Sequence, residues 1–100
     1  MSEENVVVLN PMDNVATTLA PLKSGDTLVL EVGGRTVRIT LAADVPFGHK
    51  FCLAPIEPGA QVVKYGETIG TATKAIQPGD YVHVHNVVSE RGRGDLTGGR

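Results

Sequence analysis

Apolar and polar residues alternate most clearly along residues 27–41, TLVLEVGGRTVRITL, on either side of Gly33-Gly34. Two adjacent glycines supply the positive φ angles of a two-residue primed turn, and a period of two is typical of half-buried strands. The turn also sets the expected register, which pairs Val32 with Arg35, Glu31 with Thr36, Leu30 with Val37, Val29 with Arg38 and Leu28 with Ile39. The segment is therefore predicted to form a β-hairpin with one apolar face and one mixed face.

Pro and Gly recur at the start of extended runs in the second half of the chain. The segments are DVPFGHKF (44–51), IEPGAQVVKYG (56–66) and IQPGDYVHVHN (76–86). Turn residues directly before an apolar run predict three successive strand entrances. Gly66 and Gly70 lie between the second and third entrances, so the strands are expected to be short and kinked.

The first twenty residues contain one short β-branched run and the one plausible helix. NVVVL (5–9) favours a strand. Asp13 has the chemistry of an N-cap, and Pro21 would end a helix formed over residues 13–20. The predicted fold class is mostly β, a small domain of short, kinked, mainly antiparallel strands with at most one short helix.

Composition narrows the class of protein. The chain has 100 residues, 41% of them hydrophobic, which suits one compact domain. Its net charge of -2, without a basic cluster beyond Arg91 and Arg93, argues against a nucleic-acid partner. No apolar run reaches membrane-spanning length and MSEEN lacks the features of a secretory signal, so a cytoplasmic chain without a membrane partner is expected. Cys52 is the single cysteine and is expected to be a buried structural thiol.

Two of the three histidines lie two residues apart in YVHVHN (81–86). If this segment is a strand, Tyr81, His83 and His85 share one face, while Val82, Val84 and Asn86 share the other, with the valines towards the core. Imidazoles about 6.6 Å apart along a strand can converge on one ion, and imidazole suits Fe, Zn, Mn or Cu. Exposure of both rings on the solvated face of an edge strand is an equally good interpretation.

The third histidine, His49, directly follows the turn of DVPFGHKF. A polar residue there projects from a strand end, where it could complete a histidine cluster or bind substrate. Lys50 and Lys64 also lie beside turns, where an exposed lysine is ordinary and by itself indicates no function. Tyr65 and Tyr81 are more typical of half-buried rim residues than of catalytic acids.

Four segments together carry a family resemblance: LNPMDNVATTLAPLKSGD, VPFGHKFCLAPIEPGAQVVKYGETIGTAT, IQPGDYVHVHNV and RGRGDL. GHK, KYG and HVHN in this order are similar to the N-terminal region of altronate and galactarate dehydratases, an SAF (antifreeze-like) domain with a β-clip fold. The resemblance extends from about Leu9 to Leu96. It implies an SAF-like domain over residues 1–96 and a flexible tail over 97–100.

The resemblance also implies a function. Such enzymes are lyases that remove water from sugar acids with a divalent metal, typically Fe²⁺, and some are split into small and large subunits. On this resemblance the chain is a small subunit or an N-terminal domain, inactive alone, whose active site is completed by a large catalytic subunit that supplies the base and the remaining metal ligands. Its implied site residues are His49, His83 and His85 for catalysis, with His83 and His85 as metal ligands, and Lys50, Lys64, Tyr65 and Asn86 for the sugar acid.

Alternatives of three kinds stay open. A split relative, sulfolactate sulfo-lyase, expels sulfite in place of water. SAF-type domains outside these enzymes suggest a non-catalytic module that binds sugar acids, and a purely structural interaction domain is the third alternative. Association with further copies of the chain is also open.

Overall fold

The computed structural model describes residues 5–89, which form nine antiparallel strands in three small sheets. The strands are β1 (Val6–Val7), β2 (Val15–Thr18), β3 (Thr27–Val32), β4 (Arg35–Thr40), β5 (Lys50–Cys52), β6 (Gln61–Lys64), β7 (Glu67–Ala72), β8 (Tyr81–Val82) and β9 (Val87–Ser89). The sheet orders are β1-β2-β5-β8, β3-β4 and β6-β7-β9. A small, mostly β domain of short strands is thus confirmed. Within the described range there is no helix that could span a membrane.

The hairpin of β3 and β4 has the predicted register at all five pairs, from Val32 with Arg35 to Leu28 with Ile39. Gly33 and Gly34 have φ angles of 59° and 82°, as a primed two-residue turn requires. Gly33 has a second reason to lack a side chain, because a Cβ there would lie 2.6 Å from the Cβ of Pro11. The loop before β2 therefore packs directly onto the hairpin turn.

A six-residue turn unit occurs four times, once more than the sequence predicted. Each unit begins with an apolar residue in an isolated bridge, has a positive-φ glycine three positions later and leads into a strand. The bridges pair Leu22 with Val45 and Ile56 with Ile76. In every unit the glycine N–H donates to a distant carbonyl: Gly25 to Leu41, Gly48 to Thr18, Gly59 to Ala72 and Gly79 to Cys52. The additional unit lies over residues 22–27 and leads into β3.

The sheet that contains β2 and β5 lies between two apolar clusters, because side chains alternate along each strand. Ala16 and Phe51 contribute to the first cluster, which also covers the hairpin. Val15 and Cys52 contribute to the second cluster, around Val62 and Ile76. One sheet therefore supports both halves of the core.

Cys52 is fully buried, as expected of a structural thiol. Its Sγ donates a hydrogen bond to the carbonyl oxygen of Ala54 at 2.8 Å. Burial is the main reason that the pKa of this thiol is raised to about 11, and the negative charge of Asp80 acts in the same direction.

The helix predicted over residues 13–20 is wrong, because this segment contains strand β2. β2 pairs with β1 on one side and with β5 on the other, and this pairing overrides the local capping signal. The Asp13 carboxylate accepts a hydrogen bond from the backbone N–H of Gly66 at 2.8 Å and so joins distant loops. The predicted domain end at residue 96, the tail over 97–100 and the RGRGDL segment lie outside the described residues.

Candidate functional site

Pairing of β5 with β8 forms the framework of the site. Phe51 lies opposite Tyr81, and Lys50 lies opposite Val82. Phe51 belongs to the first apolar cluster with Tyr81 packed against it, whereas Val82 belongs to the second cluster. Because neighbouring side chains point to opposite faces, Lys50 lies on the Val82 side, and His49 comes to the side of Tyr81.

Four rings gather where β5 begins and β8 ends; we call His49, Tyr81, His83 and His85 the ring cluster. His49 Nδ1 and Tyr81 Oη share a hydrogen bond of 2.6 Å. The His83 ring stacks on Tyr81 with centroids 5.5 Å apart and planes at 9°, and its centroid is 4.9 Å from that of His49. The His85 centroid lies 5.7 Å from that of Tyr81. The structure thus brings together all three predicted histidines, with Tyr81 at their centre.

The segment after Val82 is a turn and not the strand that the sequence predicted. Val84 is 80% exposed, whereas Asn86 is only 4% exposed, so Val84 does not face the core. Asn86 closes the turn: its Oδ1 accepts from the His83 backbone N–H, and its Nδ2 donates to the Tyr81 carbonyl oxygen. The predicted alternation is therefore wrong beyond Val82, and the Asn86 amide is engaged with the backbone.

A cleft of about 420 Å³ opens on the Lys50 side of the sheet. We call it the lysine cleft; its lining residues are Lys50, Lys64, Ile69, Val82, His83, Val84, Val87 and Ser89. Burial, and then the positive charge of Lys64, lower the pKa of Lys50 from its usual 10.5. The described residues thus form a cleft with two amino groups above an apolar wall, which favours an anionic ligand with a partly apolar body.

His85 lines a second cleft of about 340 Å³, to which Tyr81 also contributes. Lys74, Asp80 and Asn86 also contribute to this second cleft. His83 and His85 consequently line different clefts, although each ring contacts Tyr81.

Tyr65, a predicted substrate residue, lies in the turn between β6 and β7 and has a φ of 56°. Its ring is 41% exposed, and the Lys64 Nζ lies 4.9 Å from the ring centroid. The structure places Tyr65 beside Lys64 but not among the residues that line either cleft.

Residues 5–89 do not form a metal site by themselves, since none of their His, Cys, Asp and Glu side chains make a group of three or more that could hold an ion. His49 Nδ1 is already hydrogen-bonded to Tyr81. The described residues therefore do not fit a complete iron site.

Sequence reasoning did not assign a role to Tyr81 or to the apolar wall of the lysine cleft. Tyr81 follows the glycine of the fourth turn unit by two positions, and Lys50 follows that of the second unit by two positions. Lys50 and Tyr81 thus occupy equivalent positions, and each begins one strand of the β5–β8 pair. The repeated turn was therefore the signal that could have placed Tyr81 near His49, the residue before Lys50.

Comparison with known proteins identifies residues 4–90 as an altronate/galactarate dehydratase SAF domain. The chain is 44% identical over 80 residues to altronate dehydratase of Escherichia coli (strain K12), covering 80% of this chain and 15% of that protein. It is 32% identical over 83 residues to altronate dehydratase of Bacillus subtilis (strain 168), covering 83% of this chain and 16% of that protein.

A shorter relative is the (2R)-sulfolactate sulfo-lyase subunit alpha of Paracoccus pantotrophus. Identity to it is 41% over 54 residues, which are 54% of this chain and 81% of that subunit. The chain therefore spans a small part of the altronate dehydratases and most of the sulfo-lyase subunit. The match over residues 4–90 covers most of the chain, which thus belongs to the altronate/galactarate dehydratase SAF domain family.

Proposed function

We propose that the chain is the small subunit, or the N-terminal domain, of a lyase that eliminates water from a sugar acid. The observation that carries this proposal is the lysine cleft, in which Lys50, Lys64 and His83 surround one opening in a domain of this family. A sugar acid has a carboxylate for the amino groups and a carbon chain for the apolar wall. The chain's net charge is -2, so this local concentration of positive groups is not a general property of its surface.

The two lysines would contribute to elimination through charge. Removal of the proton next to a carboxylate places additional negative charge on that carboxylate as an enediolate develops. Lys50 and Lys64 would hold the carboxylate. Because its negative charge grows as the enediolate forms, the two amino groups would stabilise the transition state more strongly than the bound substrate. Burial, and then the charge of Lys64, lower the pKa of Lys50, and an anion bound between the two amino groups would offset this cost of carrying charge in the cleft.

The base and the remaining binding groups belong, in this proposal, to a larger catalytic subunit or domain. Support comes from length: the matched part covers 15% and 16% of two altronate dehydratases. An Fe²⁺ ion held mainly by that larger subunit is part of the same proposal; because His83 and His85 line different clefts, each is a candidate ligand on its own and not as a pair. The ion would supply Lewis-acid assistance to the leaving hydroxide.

A second candidate is the small subunit of a sulfolactate sulfo-lyase, which releases sulfite. The observation in its favour is coverage, since the matched residues make up 81% and 61% of two such alpha subunits. Sulfolactate carries both a carboxylate and a sulfonate, and two amino groups in one cleft suit a dianion equally well. A non-catalytic module that binds sugar acids would use the same cleft without a partner.

The test is purification of the chain from its native host together with its bound proteins. Elimination from altronate, galactarate and sulfolactate is then measured for the complex and for the chain alone. We expect activity only in the complex; both eliminations leave a keto acid, so release of sulfite, or its absence, decides between the two lyases. Activity of the chain alone contradicts the shared site, and tight galactarate binding without any partner or turnover favours the binding module.

Lys50→Met tests the cleft itself, with Lys23→Met as the matched control. Lys23 is a highly exposed residue whose Nζ lies 3.9 Å from the Asp44 carboxylate, outside both clefts. Loss of a charge-assisted contact to the substrate should lower kcat/KM of the complex by about a hundredfold. The control should keep the activity of the unaltered complex. Equal activity of the two variants would place the substrate elsewhere.

A further inference from the structure

Thr17 carries a buried hydroxyl that has no hydrogen-bond partner among residues 5–89. An unpaired polar atom costs free energy, because the water that bonded it in the unfolded chain is lost on folding. The neighbouring Thr18 shows the usual arrangement, since its Oγ1 donates to the Pro46 carbonyl oxygen at 2.8 Å. The Thr17 hydroxyl therefore calls for a partner that is not in place in the chain by itself.

Thr17 lies on β2 directly opposite Lys50 on β5. The Thr18 N–H donates to the His49 carbonyl oxygen. Backbone bonds join every second pair of an antiparallel ladder, so the next pair, Thr17 with Lys50, has none. The Cα atoms of such a pair are only about 4.5 Å apart, which brings the two side chains together.

Alternation along β2 also decides which face Thr17 occupies. Val15, two positions earlier, belongs to the second apolar cluster, whereas Ala16 belongs to the first. Thr17 therefore lies on the Val15 face, which is the face from which Lys50 lines the lysine cleft. Thr17 is not itself one of the residues that line this cleft. Its hydroxyl consequently adjoins the cleft through the Lys50 side chain.

The Lys50 ammonium group has more donors than one bound anion can use. It carries three N–H groups, and a carboxylate held jointly with Lys64 accepts from one side of the ammonium only. A bound anion also displaces water from the remaining N–H groups, which then need acceptors in the protein. Burial is already the main cause of the lowered pKa of Lys50. The unpaired hydroxyl opposite this residue is an acceptor of the required kind.

We propose that Thr17 is a positioning residue, whose hydroxyl accepts a hydrogen bond from the Lys50 ammonium when an anion occupies the lysine cleft. The bond restricts the long lysine stem and holds its ammonium beside the anion, which lowers the entropy cost of binding. Binding of an anion concerns this chain alone, and only the contribution to elimination rests on the proposed function. Thr17 acts through Lys50 and has no contact of its own with the anion.

The unpaired hydroxyl can be tested in the free chain by urea unfolding. Thr17→Val replaces it with a methyl group of similar size, so the folding equilibrium constant should rise about tenfold. Thr18→Val, the same change at the next residue, should lower that constant about tenfold, because the Pro46 carbonyl oxygen loses its donor. Unchanged or lower stability of Thr17→Val would mean that the hydroxyl already has a partner, such as an ordered water, and would overturn the proposal.

The link to Lys50 is tested by titrating the chain with sulfate, a small dianion, while the NMR signals of the Lys50 Cε–Hε groups are followed. We expect a saturable shift whose dissociation constant rises about tenfold in Thr17→Val and returns to its original value in Thr17→Ser, which restores the hydroxyl. The signals of Lys23, which lies outside both clefts, should show no saturable shift. Absence of a saturable shift at Lys50, or equal affinity of the unaltered chain and Thr17→Val, overturns the proposal.

The contribution to turnover is measured in the purified complex with a double-mutant cycle. Thr17→Val should lower kcat/KM about tenfold, and it should have no further effect in Lys50→Met, because the hydroxyl then has no ammonium to orient. Independent, multiplying effects of the two changes contradict the contribution to elimination. If the unaltered complex eliminates neither water nor sulfite, the proposed function fails, while the sulfate titration still decides the role of Thr17 in the chain.

Discussion

The polar side chains of residues 81–86 differ in how far they are exposed to solvent. The His83 and His85 side chains are exposed, whereas the Asn86 amide is buried and bridges two backbone groups. His83→Ala and His85→Ala should therefore leave the free energy of unfolding nearly unchanged. Asn86→Ala should lower it by about 2 kcal/mol, because buried backbone groups lose their partners.

Urea unfolding of the three variants checks this difference. The purified complex supplies the complementary measurement, since His83→Ala and His85→Ala should reduce both turnover and bound iron by orders of magnitude if these rings are ligands. A complex that keeps its iron and its rate would assign the two histidines another role.

Lys50 should give the folded chain a characteristic pH dependence. Its pKa is lowered in the folded state, so folding disfavours its protonated form. The resulting penalty is fully present below the folded pKa and disappears as the pH rises past the unfolded value near 10.5. Stability relative to the Lys50→Met variant should therefore increase between neutral pH and that value.

Thermal unfolding of the chain and of Lys50→Met across this alkaline range measures the effect. Lys64→Met should weaken the effect without abolishing it, because the Lys64 charge is the smaller cause of the lowered pKa and burial, the larger cause, remains. A constant difference between the chain and Lys50→Met at every pH would mean that Lys50 is not perturbed.

At the scale of elements, the glycines of the turn units are not equivalent. Gly59 and Gly79 have similar φ angles of 87° and 93°, but an added Cβ has open space at Gly59 and collides with the Thr40 carbonyl oxygen at Gly79. Gly59→Ala should cost about 1–2 kcal/mol from backbone strain alone. Gly79→Ala should lose at least twice as much in urea unfolding, and equal losses would contradict the close approach.

The elements that could be predicted from the sequence are those whose signals are local. Gly33-Gly34 determines both the turn and the register of β3 with β4, because two-residue loops leave no freedom in pairing. The Pro/Gly turns likewise identified the starts of β5, β6 and β8.

The predictions that proved wrong concern two segments whose conformation depends on pairing or hydrogen bonds that local sequence patterns do not reveal. The segment after Asp13 is a strand because β1 and β5 flank it, and β5 is separated from it in sequence by the whole β3–β4 hairpin. The strand predicted to continue past Val82 stops because Asn86 bonds back to residues 81 and 83, and alternation alone does not contain that information. Composition and order of motifs indicated the family, whereas the lysine cleft required the sheet that places Lys50 and Lys64 on one side.

At the scale of the whole molecule, the shared sheet should make unfolding a single event. Phe51 lies in the first cluster and Cys52 in the second, so loss of β5 removes support from both. Tyr81 fluorescence and the methyl NMR signals of Val62 report on opposite sides of this sheet. Their urea transitions should coincide, and clearly separate midpoints would mean that the two clusters unfold independently.

Burial of Cys52 also makes the chain suitable for site-specific labelling. With a pKa of about 11, only roughly one thiol in ten thousand is a thiolate at pH 7, so maleimides should react very slowly with it. Val84 is highly exposed and lies on the rim of the lysine cleft. A cysteine introduced there by Val84→Cys would take up a photo-crosslinker or a fluorophore, while Cys52 stays unlabelled. Such a probe would report which surface of another protein approaches this rim, without replacing the native thiol.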